Sequence, residues 1–516
     1  MEDEMKETAP AEPEGTAQVP GNANGFMATE KLGKLMVKFA IPCIISLLVG
    51  ALYNIVDQIF IGNADYLGTA GNTANSLVFP LTVVALAIAT MIGDGCCTFV
   101  SISLGSNKPD DAHRNIANSV ILVVIIGVIL MALYLLIPKA LLSLFGANPD
   151  AESYPLAQEY LFWIAIGIPF YMFGQAMNPV IRSDGSPTYA MVTLVSGAVI
   201  NIVLDYVFIY PLQMGMTGAA LATIIGQIAA AILALVYLFR MKAVKLHKSS
   251  FRPAPKTIGH SLVMGIPSFL VQISVVFSMM AVLQVCNICG QADEVYGQAG
   301  YTDIPQAVVG IVMKYFQIVI SVAVGISAGC IPIVGYNIGA GRKDRAKKLL
   351  FMMIITEAVV GAVFTLLFEL LPSQLLAVFG AGTTLDPAVT DLADYQAQYQ
   401  SFGINCIKWF MAFTVLACVN KGVIIYLQAL GRSWLSTIVS LVREILFGVG
   451  GVLLLAFPMN LGLAAVFYFM PIADGLTFIV AAVIVVYITR VLSRKHTDRM
   501  PIPDGTERKE PVEQQS

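Results

Sequence analysis

Three aspartates, Asp57, Asp94 and Asp205, stand inside long apolar runs in the first half of the chain. Ionisable side chains in such runs are costly to bury and mark candidate functional sites. Apart from Lys38 at the very start of the first run, no Lys or Arg shares these three runs, so each acid must be protonated, bind a cation or face water. Runs in the second half carry both signs of charge, on Lys314, Lys408, Lys421, Arg443, Glu357, Glu444 and Asp474. We interpret these second-half charges mainly as ion pairs, and a functional role for them stays open.

The apolar runs themselves indicate a membrane protein. The chain of 516 residues is 57% hydrophobic and 12% charged, whereas about 25% of the residues in a typical soluble protein are charged. The hydrophobic residues form blocks of about 20, enough for a helix to cross a hydrocarbon core of about 30 Å. We therefore predict an all-α membrane protein with twelve transmembrane helices, at roughly residues 38–62, 77–104, 115–137, 157–180, 189–210, 217–240, 260–288, 306–337, 348–371, 402–427, 434–456 and 461–489.

Charge in the predicted loops indicates how the chain is oriented. Loops on one side carry basic residues such as Lys108 and Arg182, and loops on the other side carry acids such as Asp150 and Glu152. Because basic loops stay in the cytoplasm, both termini are expected there. Residues 1–30 lack the basic start and apolar core of a cleavable signal peptide. Together with residues 491–516, they are interpreted as disordered cytoplasmic tails.

An internal repeat divides the predicted helices into two halves. Residues 136–147 read LIPKALLSLFGA and residues 370–381 read LLPSQLLAVFGA, with seven of twelve positions identical at an offset of 234. The same offset aligns Gly105 with Gly339. Repeats are common in transporters, although duplicated channels and membrane enzymes also contain them. We predict two pseudo-symmetric six-helix lobes at residues 31–240 and 259–490, with a cytoplasmic linker at 241–258.

Four polar residues of the first half are expected at similar depth. Asp57 and Asp205 each lie about five residues before the outer end of a predicted span, and Thr223 about six residues after an outer start, which at 1.5 Å per residue is a similar depth. Asn201 precedes Asp205 by four residues and shares its helix face. These positions predict a polar cluster in the outer part of the first lobe.

Three further residues are candidates for substrate contact or gating. Asp94 lies deeper, in a Gly-Asp-Gly sequence, and is either functional or a protonated acid in a tightly packed site. Tyr53 shares a helix face with Asp57 and is able to bond it or to stack on a substrate, while an interfacial aromatic is the alternative. Gln58, next to Asp57, joins this group.

Several motifs resemble those of the MATE (multidrug and toxic compound extrusion) family of exporters. YNIVDQIFIG at residues 53–62 resembles the first-helix signature of that family. Residues 181–210 and 214–227 are similar to its fourth-to-sixth helix motif, and GISAGCIPIVGYNIGAGR at 325–342 is similar to its eighth-helix motif. The resemblance covers about residues 30–490, and the first helix most resembles the DinF/MepA-like bacterial branch.

The resemblance implies two lobes around a V-shaped cavity with alternating access, in a bacterial inner membrane. It also assigns a first-lobe acidic network to Asp57, Asn201, Asp205 and Thr223. Pro42 matches the first-helix proline whose kink is tied to protonation in some relatives, and an ordinary tolerated proline is the alternative. The NorM branch carries acidic coupling residues in helices 7 and 10. Here the seventh span has no acid and the tenth has Lys408 and Lys421, so a sodium site of that kind is not expected.

These observations predict a secondary active antiporter that exports lipophilic or aromatic cations and thereby gives antibiotic resistance. Burial in a low-dielectric site disfavours the charged form of a carboxylic acid. A proton is therefore one candidate coupling ion, and sodium bound by Asp57, Asn201, Asp205 and Thr223 is the other. A lipid-linked precursor flippase or another substrate exporter of the same superfamily is the alternative function, although flippases of this kind usually have a basic cavity.

The remaining expectations concern chemistry and partners. No Walker A motif or hydrolase elbow is present, so we expect neither enzymatic activity nor a cofactor, and no metal besides the sodium alternative. The expected partners are small drug-like molecules and the lipid bilayer, without nucleic acid. We expect the protein to act as a monomer.

Overall fold

The computed structural model describes residues 24–493, apart from 65, 146, 148, 152, 246, 299, 300, 303 and 379–391. Over these residues the structure is helical, as predicted, and has no β-strand. Most of both predicted tails, residues 1–23 and 494–516, lies outside the described residues, as does the loop acid Glu152.

The first half of the chain forms eight α-helices. They are α1 (Phe26–Thr29), α2 (Leu32–Gly62), α3 (Gly68–Gly105), α4 (Pro109–Leu136), α5 (Pro138–Leu144), α6 (Ser153–Ser183), α7 (Pro187–Ile209) and α8 (Gly215–Leu238). Proline begins α4, α5 and α7, where its fixed backbone angle suits a helix start and its missing N–H is not needed.

The second half follows a short 3₁₀ turn at Lys248–Phe251. Its helices are α9 (Pro255–Gln291), α10 (Ile304–Gly339), α11 (Lys343–Leu370), α12 (Pro372–Val378), α13 (Leu392–Met411), α14 (Thr414–Ala429), α15 (Ser433–Leu441), α16 (Gly450–Ala456) and α17 (Ala465–Ser493). A π-helical segment, Val442–Val449, joins α15 to α16. The predicted linker is shorter than expected, because α9 already begins at Pro255.

The predicted count of twelve spans is confirmed. In the described part of the chain, eleven helical spans are long and apolar enough to cross a membrane, and the bent pair α13 and α14 makes the twelfth. The tenth span, predicted at residues 402–427, is longer than expected and is bent. This span begins at Leu392 and bends by 41° between Met411 and Thr414. Its first turns, LADYQAQYQ, are too polar to stand out as part of an apolar run.

Most helices pack mainly on helices of their own half, and the two groups meet where α10 crosses α2 and α3 and where α9 crosses α3. Gly105 at the end of α3 and Gly339 at the end of α10 lie in this crossing. A Cβ on Gly105 would lie 2.2 Å from the carbonyl oxygen of Tyr336, and one on Gly339 would lie 2.2 Å from that of Ile102. The 234-residue offset that relates the glycines also relates Ile102 to Tyr336. The contact is therefore symmetric between the halves.

Both described chain ends lie at one end of the helix assembly, which we call the terminal face. Lys347 Nζ donates to Ser493 Oγ at 2.7 Å, and Arg342 Nη1 donates to the Ala28 carbonyl at 2.9 Å. The Gly105 and Gly339 contacts lie at the same face, because each glycine ends the helix that leads there.

The predicted boundaries of the disordered tails are wrong at their inner ends. Asn24 to Glu30 form a turn and α1. At the other end, α17 continues to Ser493, past the predicted start of the tail at residue 491. Phe26, Met27 and Ala28 supply an apolar face, and Met27 and Ala28 are buried against the helices. The polar composition of residues 1–30 as a whole concealed this short apolar segment.

Candidate functional site

Asp57 lies in the second half of α2 and is buried beside α3. The amide of Asn75 donates a hydrogen bond to Asp57 Oδ2 at 3.0 Å. No donor from the described residues reaches Asp57 Oδ1, although Asp57 is only 5% exposed. A buried carboxylate with one neutral partner is incompletely stabilised as an anion, so the free oxygen favours a proton or a cation.

Asp205 and Asn201 lie one turn apart on α7. Asn201 packs against α8, where Gly226 leaves room for it: a Cβ on Gly226 would lie 3.1 Å from that of Asn201. The Asn201 amide donates to Thr223 Oγ1 of α8 at 3.3 Å. Asp205 is fully buried, and neither of its oxygens has a hydrogen-bond partner among the described side chains and backbone groups.

The two carboxyl groups belong to one cluster. Helix α2 packs against α7, and Asp57 and Asp205 are close enough to interact electrostatically. Tyr160 of α6 lies near both acids and near Thr223. The structure thus brings together the residues that depth in the membrane placed in one cluster, namely Asp57, Asn201, Asp205 and Thr223. We call these four, with Asn75 and Tyr160, the acidic cluster.

The side chains of the acidic cluster present oxygen atoms as possible ligands, and none of them is positively charged. Four buried oxygens, Asp57 Oδ1, Asn201 Oδ1 and both of Asp205, lack a hydrogen-bond partner within the described ranges. Hard cations prefer carboxylate, amide and hydroxyl oxygens, and a carboxylate also takes a proton. Over the same ranges no group of three or more His, Cys, Asp or Glu could hold a metal ion. The cluster therefore suits a proton or an ion bound by two carboxylates and neutral oxygens.

Asp94 has a basic partner, contrary to the prediction for the first-half acids. Arg182 was predicted in a loop, but α6 continues to Ser183 and carries its guanidinium inward, where it is 4% exposed. Arg182 Nη2 lies 3.5 Å from Asp94 Oδ1. Ser268 of α9 donates to Asp94 Oδ2 at 2.8 Å, and Gln428 of α14 donates to Ser268 at 2.9 Å. Asp94 therefore joins the two halves of the protein instead of binding an ion alone.

The other three candidates are not part of one contact set. Pro42 is buried in α2, fifteen residues before Asp57, so the two are about 22 Å apart along the helix. The helix is continuous through Pro42, and Ser46 donates to the Pro42 carbonyl at 2.8 Å. Tyr53 is half-buried and interacts electrostatically with Asp57, and Gln58 is half-buried. Tyr53 and Gln58 thus flank Asp57 on α2, whereas Pro42 is remote from it.

Most buried charges of the second half are paired, as interpreted from the sequence. Arg443 lies 2.8 Å from Asp474 and 2.6 Å from Glu444, and Lys421 also bonds Glu444. All four side chains are buried, and Arg443 and Glu444 stand on the π-helical segment. We call this set the four-charge cluster. Lys314 on α10 and Lys408 on α13 are half-buried.

Glu357 does not fit the ion-pair interpretation. It lies in the middle of α11 with no exposed surface, and Ser327 of α10 donates to its Oε1 at 2.6 Å. Its Oε2 has no hydrogen-bond partner, and the ion pairs of the described residues do not include it. A buried carboxyl in this environment is more stable as the neutral acid.

Comparison with protein families matches the chain to the MatE model over residues 42–207 and 298–450. The chain is 24% identical over 476 residues to the multidrug export protein MepA of Staphylococcus saprophyticus, covering 92% of this chain and 97% of that protein. It is 25% identical over 431 residues to MepA of Staphylococcus haemolyticus, covering 83% of this chain and 90% of that protein.

Solved structures share the fold. One is described as the outward-facing conformation of a multidrug resistance MATE family transporter of the MOP superfamily. It has a TM-score of 0.79 and 23% identity, over 91% of this chain and 98% of that one. A MOP superfamily transporter from Pyrococcus furiosus, whose binding pocket is described as having reverse polarity, has the same score, identity and coverage.

Proposed function

The chain belongs to the MatE family, and on this premise we propose that it is a secondary active antiporter that exports lipophilic or aromatic cations in exchange for protons or sodium. It is a multi-pass membrane transporter. Two relatives named as multidrug export proteins match it over most of their length, which supports small, chemically varied substrates.

The observation that carries the proposal is the absence of a basic partner at the acidic cluster. Asp57 and Asp205 are buried, interact with each other, and have no ion pair in the part of the chain that the structure describes. Two adjacent buried carboxylates cannot both stay charged without a counterion. Reversible binding of a proton or sodium ion meets this requirement, whereas a purely structural role would favour a fixed cation.

The charge of the acidic cluster explains how a cationic substrate would be exchanged for a coupling ion. With its acids ionised, the acidic cluster attracts a cationic substrate, and the half-buried Tyr53 adds an aromatic surface for it. Protonation of Asp57 or Asp205 removes a negative charge and turns an acceptor oxygen into a donor. Substrate and proton then bind in alternation. Sodium would compete in the same way through the free oxygens of Asp57, Asn201 and Asp205 and the Thr223 hydroxyl.

The alternative, a flippase for lipid-linked precursors, needs cationic groups for a pyrophosphate. The basic groups buried deepest in the second half, Lys421 and Arg443, are neutralised by Glu444 and Asp474. Arg182 is likewise held by Asp94. These pairs leave little positive charge for a diphosphate and support the antiporter over the flippase.

The coupling ion is tested in proteoliposomes that hold the purified protein. Efflux of a fluorescent aromatic cation is followed under a proton gradient alone and under a sodium gradient alone. The antiporter should drive efflux under one or both gradients. Failure under both gradients, combined with translocation of a lipid-linked pyrophosphate, would instead establish the flippase.

We further propose that the terminal face is cytoplasmic, in a bacterial inner membrane, and that the protein acts as a monomer without nucleic acid. Basic residues at this face, such as Lys108, Arg342 and Arg345, support that orientation. Cysteines introduced near Glu152 and Thr384, which lie outside the described residues, should react with an impermeant maleimide from outside the cell. Reaction from the cytoplasmic side only would reverse the orientation.

A further inference from the structure

The segment Asn24–Glu30, which we call the strap, crosses the terminal face and is embedded in the protein. Asn24, Met27 and Ala28 are each at most 1% exposed. A short polar tail needs no such burial. The strap therefore has specific contacts, and they divide between the two halves of the protein.

On the first-half side, the strap is bound by its first residues. The Asn24 amide donates to the Ser183 carbonyl at the end of α6, at 2.9 Å. The Phe26 ring stacks on Phe39 of α2 with ring centroids 6.5 Å apart, and Lys38 Nζ lies 4.2 Å from the Phe26 centroid. The strap also continues directly into α2. It must therefore move with the first half.

On the second-half side, three side chains bind backbone carbonyls of the strap. Asn337 at the end of α10 donates to the Met27 carbonyl at 3.0 Å, and Arg342 donates to that of Ala28 at 2.9 Å. Arg345 donates to the Glu30 carbonyl at 2.6 Å, and its Nε donates to Asn337 Oδ1 at 3.0 Å. Two of the three donors are guanidinium groups, which form stronger hydrogen bonds than neutral donors.

We propose that the strap is a latch that holds the terminal face closed and opens in each transport cycle. The inference rests on the proposed antiport, because alternating access requires the terminal face to open. When the first half moves away from the second, the strap goes with it. The bonds to Asn337, Arg342 and Arg345 must then break. These three are positioning residues, because they set the balance between conformations through the strap and do not contact the substrate.

The latch stabilises the closed state of the terminal face in addition to the symmetric glycine contact there. Gly105 and Gly339 allow the helices to meet, and their contact combines close packing with one neutral hydrogen bond, from Ser106 Oγ to the Gly339 carbonyl at 3.2 Å. The strap supplies directional bonds that exist only when the face is closed. Loss of a hydrogen bond to a charged donor should shift this two-state equilibrium about tenfold toward the open form.

The test measures the distance across the terminal face without substrate or gradient. Asp110 and Asp344 are exposed, belong to different halves and are related by the 234-residue repeat. Spin labels at Asp110→Cys and Asp344→Cys, in a Cys289→Ser background because the other seven cysteines are buried, report this distance by pulsed electron resonance. The parent should give mainly one short distance. Arg345→Ala and Asn24→Ala should each add a population at a longer distance. The fraction of molecules at that longer distance in Arg345→Lys should lie between those of Arg345→Ala and the parent.

The matched control is Lys347→Ala, which removes a cation two residues away that bonds Ser493 instead of the strap. It should leave the distances unchanged. A second readout is the reaction of Met27→Cys with an impermeant maleimide, which should be slow in the parent background and faster with Arg345→Ala. Unchanged distances and reactivity in folded Arg345→Ala and Asn24→Ala proteins would overturn the latch. Because neither readout involves transport, a failure of dye efflux would count against the antiport proposal alone.

Discussion

Gly105 and Gly339 make the same backbone contact from opposite halves of the protein. Gly105 lies against Tyr336 and Gly339 lies against Ile102, and the 234-residue repeat relates these two partners to each other. A Cβ at either position would lie 2.2 Å from a carbonyl oxygen, much closer than van der Waals contact. Because the backbone on the far side cannot rotate away as a side chain can, the helices would have to separate. The absence of a side chain at these two positions therefore allows α3 and α10 to approach each other closely at the terminal face.

We predict that Gly105→Ala and Gly339→Ala each lower stability by about 1–3 kcal/mol, the usual cost of an overpacked site. Because the contact is symmetric, the two effects should be similar. Thermal unfolding in detergent measures them. Gly259→Ala is the control, since nothing lies within 4 Å of its added methyl group. If Gly105→Ala melts at or above the parent temperature, the close contact does not exist as described.

Asp57→Asn and Asp205→Asn should each abolish gradient-driven export while the protein still inserts into the membrane. Asparagine keeps the size of the side chain but cannot titrate. Dye efflux per inserted transporter, measured at several external pH values with and without sodium, tests this. For proton coupling, lower external pH should speed efflux by the parent and leave both variants unaffected. Parental rates and pH dependence in both variants would redirect attention to the second-half charges.

Thr223→Ala, Asn201→Ala and Asn75→Ala should have milder effects than loss of either acid. Each removes one neutral hydrogen-bonding group from the acidic cluster and leaves both carboxyls. A neutral hydrogen bond contributes about 1 kcal/mol, or roughly fivefold in an equilibrium constant. The concentration of coupling ion that gives half-maximal efflux should shift by that order. A complete loss of coupling in Thr223→Ala would mean that the hydroxyl is indispensable.

Asp94→Asn should act on the joint between the halves. It weakens the partner of a buried arginine and the acceptor of the Ser268 hydroxyl. We expect a loss of about 1–3 kcal/mol in stability for Asp94→Asn and less for Ser268→Ala. Thermal unfolding and efflux should fall together. Efflux lost at unchanged melting temperature would give Asp94 a direct part in substrate binding or gating.

Asp474→Asn should reduce the amount of folded protein more than it reduces coupling. It leaves Arg443 buried with fewer partners, and breaking such a pair costs about 3–5 kcal/mol. The yield of monodisperse protein and the efflux per inserted molecule separate the two effects. Glu369→Gln, at an exposed position on α11, is the control and should change neither. Normal yield with lost coupling would make the four-charge cluster functional.

The sequence predicted what depends on one-dimensional patterns. Hydropathy located the twelve spans, and the spacing of Asp57, Asp205 and Thr223 from span ends placed them at one depth, because helical rise is constant. Tyr160 and Asn75 were missed, since a polar residue in an apolar span shows neither its direction nor its neighbours. Their place beside the acids depends on how α3 and α6 are rotated in the assembled protein.

Errors arose where a local boundary decided a contact. One extra helical turn in α6 was enough to bring Arg182 from a predicted loop to Asp94. The strap was overlooked because seven residues with a small apolar face are too few to register in a hydropathy window. Glu357 was grouped with pairing charges because the sequence gives no distance between α11 and the basic side chains of α14 and the π-helical segment.

The four-charge cluster also constrains how the protein is made. Its charges stand on separate spans, with Lys421 on α14, Arg443 and Glu444 between α15 and α16, and Asp474 on α17. A single charge at the centre of an isolated helix adds about 2.5–3.5 kcal/mol to the free energy of membrane insertion. In the assembled cluster the two positive and two negative charges cancel. The last three spans should therefore remain together in the insertion machinery until Asp474 has been synthesised, and enter the lipid as one electrically neutral unit.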